Sequence, residues 1–96
     1  MTTSNELRLL PWSGTDGKPC YLSTDDSNGH MSRLADNIEA VQLGMATELL
    51  GQAVDMIADA GAGPDDLRLL VKDLAGALRD TLRVATSRGH RLATPE

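Results

Sequence analysis

The segment Ala60-Gly61-Ala62-Gly63-Pro64-Asp65-Asp66 interrupts two long stretches of helical periodicity. Two glycines and a proline so close together do not sit inside one continuous helix. The break therefore divides the C-terminal two thirds of the chain into a pair of helices joined by a short connection. Such a connection makes the two antiparallel neighbours.

The first helix is predicted from Ser32, as N-cap, to Ala60, with Gly61 as a left-handed stop. At ~1.5 Å per residue it is roughly 43 Å long. The second starts at Pro64, with Asp65 and Asp66 on the positive end of its dipole. It is predicted to end near Ser87 or Arg88, stopped by Gly89. One domain results, in three parts: an N-terminal hairpin or arm over 1–31, a helical hairpin over 32–89 and a flexible tail over 90–96.

The arm reads as a β-hairpin. Leu7 to Trp12 suits a short strand that Pro11 confines to an edge. Asp16-Gly17 is a favoured turn pair, and Pro19 to Thr24 forms the returning strand. Trp12, Tyr21 and Leu22 are the side chains expected to pack it on the helices, since an isolated hairpin is marginal in water.

Placing residues at about 100° each separates the faces of the helices. On helix one, Leu34, Ile38, Val41, Met45, Leu49 and Met56 share one side. Leu43, Leu50, Val54 and Ile57 lie on the adjoining side. Together they sweep roughly 220°, against the ~100° or slightly more of an ordinary surface helix. On helix two, Leu67, Leu70, Val71, Leu74, Ala77, Leu78, Leu82 and Ala85 form an arc of roughly 160°. One sister helix covers one stripe. The reading requires Leu43, Leu50, Val54 and Ile57 to lie beyond its reach yet hidden from water. Two covers are open: the N-terminal hairpin, or a second chain completing a dimeric four-helix bundle. A ~60-residue helical hairpin rarely buries enough surface alone, which favours the homodimer. The expected fold class is thus mainly α, with the β-hairpin packed on the helix pair.

Composition narrows the function classes. The 96 residues carry a net charge of −5, which opposes generic binding to nucleic acid. Cys20 is the only cysteine, so no internal disulfide forms. No apolar run approaches the ~20 residues that span a bilayer, and the first residues lack a signal pattern. A cytoplasmic location without membrane attachment is the expectation. Two lysines against seven arginines point to a GC-rich genome.

Arg68, Lys72, Arg79 and Arg83 fall within roughly 60° on helix two and form a candidate docking stripe. A solvated face partly neutralised by Asp73 and Asp80 is the plainer account. Helix one is the electrostatic opposite: Asp36, Glu39, Glu48, Asp55 and Asp59 outnumber Arg33. Rim pairs between helices then set orientation more than stability. Gly44 and Gly51, with Ala40, Thr47 and Ala58, make a smooth strip that either admits a second backbone or is tolerated drift. Cys20, Asp25, Asp26 and His30 lack metal-ligand spacing, and Thr24 and Ala35 stand where a calcium loop needs acidic ligands. Cys20 and His30 lie in no catalytic motif. No metal site, cofactor or catalytic residue is expected, and the chain is read as a non-enzyme.

Leu9-Leu10-Pro11-Trp12-Ser13-Gly14, Gly17-Lys18-Pro19-Cys20-Tyr21-Leu22, Ser32-Arg33-Leu34-Ala35-Asp36 and Glu39-Ala40-Val41-Gln42-Leu43-Gly44-Met45 carry a resemblance. This stretch resembles small proteins of streptomycetes and related actinobacteria. The resemblance covers most of residues 9–60. It implies a cytoplasmic actinobacterial protein tied to regulation, with the hairpin as part of the fold, and carries over no catalytic or binding residue.

The reading that follows is a protein–protein interaction module or small regulatory adaptor, acting as a homodimer with an unidentified protein partner. Leu43, Leu50, Val54 and Ile57 supply the contact between chains, and the basic stripe faces outward. Two rival classes are a small-molecule or metal binder using residues 12–30, and a nucleic-acid-associated protein using the basic face.

Overall fold

A computed structural model of the chain describes residues 7–23 and 29–93. The order of elements is β1 (Leu7–Ser13), β2 (Pro19–Ser23), α1 (His30–Ala58) and α2 (Pro64–Ala93). The fold is mainly helical, with an antiparallel hairpin ahead of the helix pair.

The hairpin forms where turn chemistry predicts it. Gly17 has φ +80°, which glycine adopts without strain, and its amide donates to Gly14 O at 3.0 Å. The Lys18 amide donates to the Asp16 carboxylate at 3.0 Å. Pairing runs from Leu7 opposite Ser23 to Ser13 opposite Pro19, with an irregularity between Leu9 and Ser13. That irregularity breaks the alternation of faces, so Leu10 and Pro11 are both buried. The predicted end of the second strand at Thr24, Asp25 and Asp26 of the weighed metal cluster, and residues 1–6 and 94–96 lie outside the described residues.

Helix α1 begins at His30, with Gly29 as its N-cap, rather than at Ser32. Ser32 is instead buried in the first turn, where its carbonyl accepts a hydrogen bond from Arg8. The helix ends without a left-handed residue at Gly61. Asp59 closes it: its carboxylate accepts from the Gly61 amide at 2.8 Å and its carbonyl from Ala62 at 3.2 Å. These bonds satisfy amides of the turn with no need for positive φ. Helix α2 starts at Pro64 as predicted, but it passes through Gly89 and reaches Ala93. A glycine costs a helix interior about 1 kcal/mol, too little to stop one already propagated over six turns. Residues 90–93 of the predicted tail are therefore helical.

The packing of the pair differs from the predicted stripe-on-stripe arrangement. The covered arc of α1 follows the seam of Ala35, Ala46 and Ala53 between the two apolar stripes; Ser32, Ala35 and Glu39 are buried, and Ile38, Gln42, Leu43, Ala46, Leu49, Ala53 and Met56 are half-buried. Small side chains let the helix axes approach closely, so α2 settles on that seam. Both flanking stripes are left at the edges. Among the described residues the buried apolar side chains are Leu10, Pro11, Ala35, Leu70 and Val84. Val84, outside the predicted arc of α2, is thus part of the core, while Leu67, Val71, Leu78 and Leu82 are exposed.

The hairpin lies across the open end of the helix pair. Its Leu9 carbonyl accepts from Ser87 Oγ at 3.0 Å. The Pro11 carbonyl accepts from Gln42 Nε2 at 2.8 Å and Arg83 Nη1 at 3.1 Å. These donors close the edge of β1 that β2 does not pair. Trp12 and Leu22 are half-buried, and Tyr21 is exposed, so β1 rather than the aromatic of β2 makes the attachment.

Candidate functional site

Two features stand out: a buried ionic cluster under the hairpin and a broad apolar face on the helix pair. The cluster centres on Arg8 and Glu39, whose side chains are 6% and 1% exposed and 3.3 Å apart. Arg8 Nη2 also reaches Asp36 Oδ1 at 2.6 Å, and its Nη1 donates to Ser32 O at 3.1 Å. Arg88 contacts Glu39 Oε1 at 3.4 Å from α2. Strand β1 and both helices thus meet at one carboxylate. Each charge here has a partner of opposite sign, while Arg8 Nε is buried without a hydrogen bond. Its chemistry is attachment. Sequence reasoning counted Glu39 among the acids of helix one available for rim pairs between the helices, and gave Arg8 no role. A signal existed: the period-two pattern of a strand puts Arg8 on the same face as Leu10.

The predicted interface residues are exposed in the single chain. Leu50, Val54 and Ile57 are 62%, 57% and 84% exposed, and Leu43 is half-buried. The expectation that they are hidden fails for the chain alone, because the hairpin sits at the opposite end of α1 from Val54 and Ile57. The hairpin as their cover is thereby corrected.

A groove fixes which side of the pair these residues occupy. It has a volume of about 520 Å³ and runs between Met45, Leu49 and Gln52 of α1 and Lys72, Asp73 and Gly76 of α2. At about 100° per residue, Leu43, Leu50 and Val54 project to the other side of α1. The same construction sends Leu67, Val71, Leu78 and Leu82 of α2 to that side. The two stripes merge into one apolar face. Leu78 and Leu82 are 59% and 58% exposed, and Val71 is 63% exposed. Exposed apolar side chains are thus gathered on one side of the helix pair.

The basic stripe is divided. Arg83 is half-buried and committed to Pro11 and, at 3.6 Å, to Asp80. Lys72 lines the groove beside Asp73. Arg68 and Arg79 are exposed. The four predicted residues therefore do not form one uninterrupted recognition surface.

Cys20 is half-buried and unbridged, His30 opens α1, and no group of three potential metal ligands occurs among the described residues. Among them too, no helix is long and apolar enough to cross a membrane. Compared with family models, curated protein sequences and solved structures, the chain matches none.

Proposed function

We propose that this protein is a non-catalytic interaction module, a small regulatory adaptor that works as a homodimer. The observation that carries the reading is the single apolar face shared by α1 and α2. Leu43, Leu50, Val54 and Ile57 supply one half of it, and Leu67, Val71, Leu78 and Leu82 the other. Its support is the continuity of that face across both helices, not concealment within one chain. Four helices then enclose the apolar surface as a bundle.

The regulatory role rests on the resemblance to small actinobacterial proteins. The exposed basic residues Arg79 and Lys72 are the outward contact for a protein partner in this reading. Light scattering on the purified chain tests the dimer. The expected mass is twice that of the chain, falling to one chain in Leu50→Glu and Leu78→Glu with helicity unchanged. A clean monomer at tens of micromolar overturns the reading.

A further inference from the structure

We propose that the groove between α1 and α2 binds a linear aliphatic polyamine. The groove lies on the other side of α1 from Leu43, Leu50 and Val54, so the proposal is independent of the homodimer.

The first argument is space. The groove has a volume of about 520 Å³, within the range of small-molecule sites. Its lining runs from Gln42 to Gln52 on α1 and from Lys72 to Asp80 on α2. At ~1.5 Å per residue these stretches are roughly 15 Å and 12 Å long, so the site is a trough along the helices. Gly76 belongs to its wall, and a Cβ built there meets nothing within 4 Å. Glycine in mid-helix weakens the helix, and nothing inside the chain needs its small size. Its missing side chain leaves the trough open.

The second argument is charge. Glu48, Asp73 and Asp80 line the groove against one cation, Lys72, so three carboxylates less one ammonium leave the lining at −2. Asp80 shares its charge with Arg83 at 3.6 Å. Glu48 and Asp73 are exposed and enter no ion pair among the described residues. Asp73 and Asp80 stand two turns apart on one face of α2, about 10 Å along its axis. Carboxylates so spread do not converge on a metal ion, and no group of three potential metal ligands occurs among the described residues. They suit a cation whose charge is distributed along a chain.

The third argument is hydrogen bonding. Gln42 Nε2 donates to the Pro11 carbonyl, and Gln42 Oε1 is left buried with no hydrogen bond. Buried acceptors are ordinarily paired. With three carboxylates in the same lining, acceptors are in excess, and an ammonium group only donates. Met45, Leu49 and Ala77 supply apolar surface for the methylenes between ammonium groups. Aliphatic amines titrate near lysine and are charged at about pH 7.

Titration of the full-length chain with spermidine, followed residue by residue by NMR, tests the proposal. Shifts are expected to concentrate on residues 42–52 and 72–80, to fade with added sodium chloride, and not to be reproduced by magnesium at equal ionic strength. Glu48→Gln and Asp73→Asn, both at exposed positions, are each expected to weaken binding by about threefold. Gly76→Leu fills the trough without altering charge, and is expected to keep helicity and lose the binding. Absence of shifts overturns the proposal. So do shifts that gather instead at Asp55, Asp59, Asp65 and Asp66, an equal response to magnesium, or undiminished binding by the Glu48→Gln and Asp73→Asn chains.

Discussion

Arg8 and Glu39 carry opposite charges into the least accessible part of the chain, and they are held there by several partners at once. Removing one member of a buried pair strands the other charge, which costs about 3–5 kcal/mol. Glu39→Ala and Arg8→Ala should therefore lower stability by about that amount in urea titrations. Asp36 contacts the same arginine, but its side chain is 63% exposed. An exposed ion pair is worth about 0–1 kcal/mol, so Asp36→Ala should shift the urea midpoint far less. Equal losses at Asp36 and Glu39 would contradict the burial order. Ser87→Ala removes one neutral bond to the Leu9 carbonyl and should cost about 1 kcal/mol.

At the scale of elements, two glycines separate by backbone geometry. Gly17 turns the hairpin at φ +80°, a conformation that costs an L side chain about 1–2 kcal/mol. Gly89 lies inside α2, where a Cβ meets nothing within 4 Å. Gly17→Ala should lower the melting temperature, and Gly89→Ala should raise it by an amount equivalent to about 1 kcal/mol. Helix α2 would be shown to end at Gly89 if that alanine left both helicity and melting unchanged. The start of α2 was legible because Pro64, Asp65 and Asp66 act locally, within the first turn. Its end was not legible, since a glycine is both a stop and a tolerated interior residue. The same ambiguity moved the start of α1: Ser32 has the chemistry of a cap, but tertiary contact with Arg8 takes it into the helix.

For the whole molecule, the distribution of apolar surface outweighs any single contact. Few apolar side chains are buried among the described residues, while long stripes on both helices remain in water. Association driven by that surface has a distinct salt response. Added sodium chloride screens exposed charges but leaves apolar burial largely intact, and sulfate strengthens it. The dimer mass should persist at high sodium chloride and tighten with sulfate, as followed by sedimentation. Dissociation by salt would assign the contact to charge instead. Much of the candidate face could be read from the chain, because the stripes of α1 and α2 follow from residue spacing alone. Their position on the same side could not, because it depends on which seam of α1 receives α2.

Spacing and local chemistry by themselves determined two helices, their antiparallel course, the hairpin turn at Gly17 and the excess of apolar surface on α1. Each is set by residues within a few positions of one another. The tertiary structure alone decided that α2 rests on the alanine seam and that Arg8, Glu39 and Arg88 converge beneath the hairpin. Both outcomes depend on groups tens of residues apart, whose proximity is fixed by packing and by the need to pair buried charge, neither of which has a period along the chain.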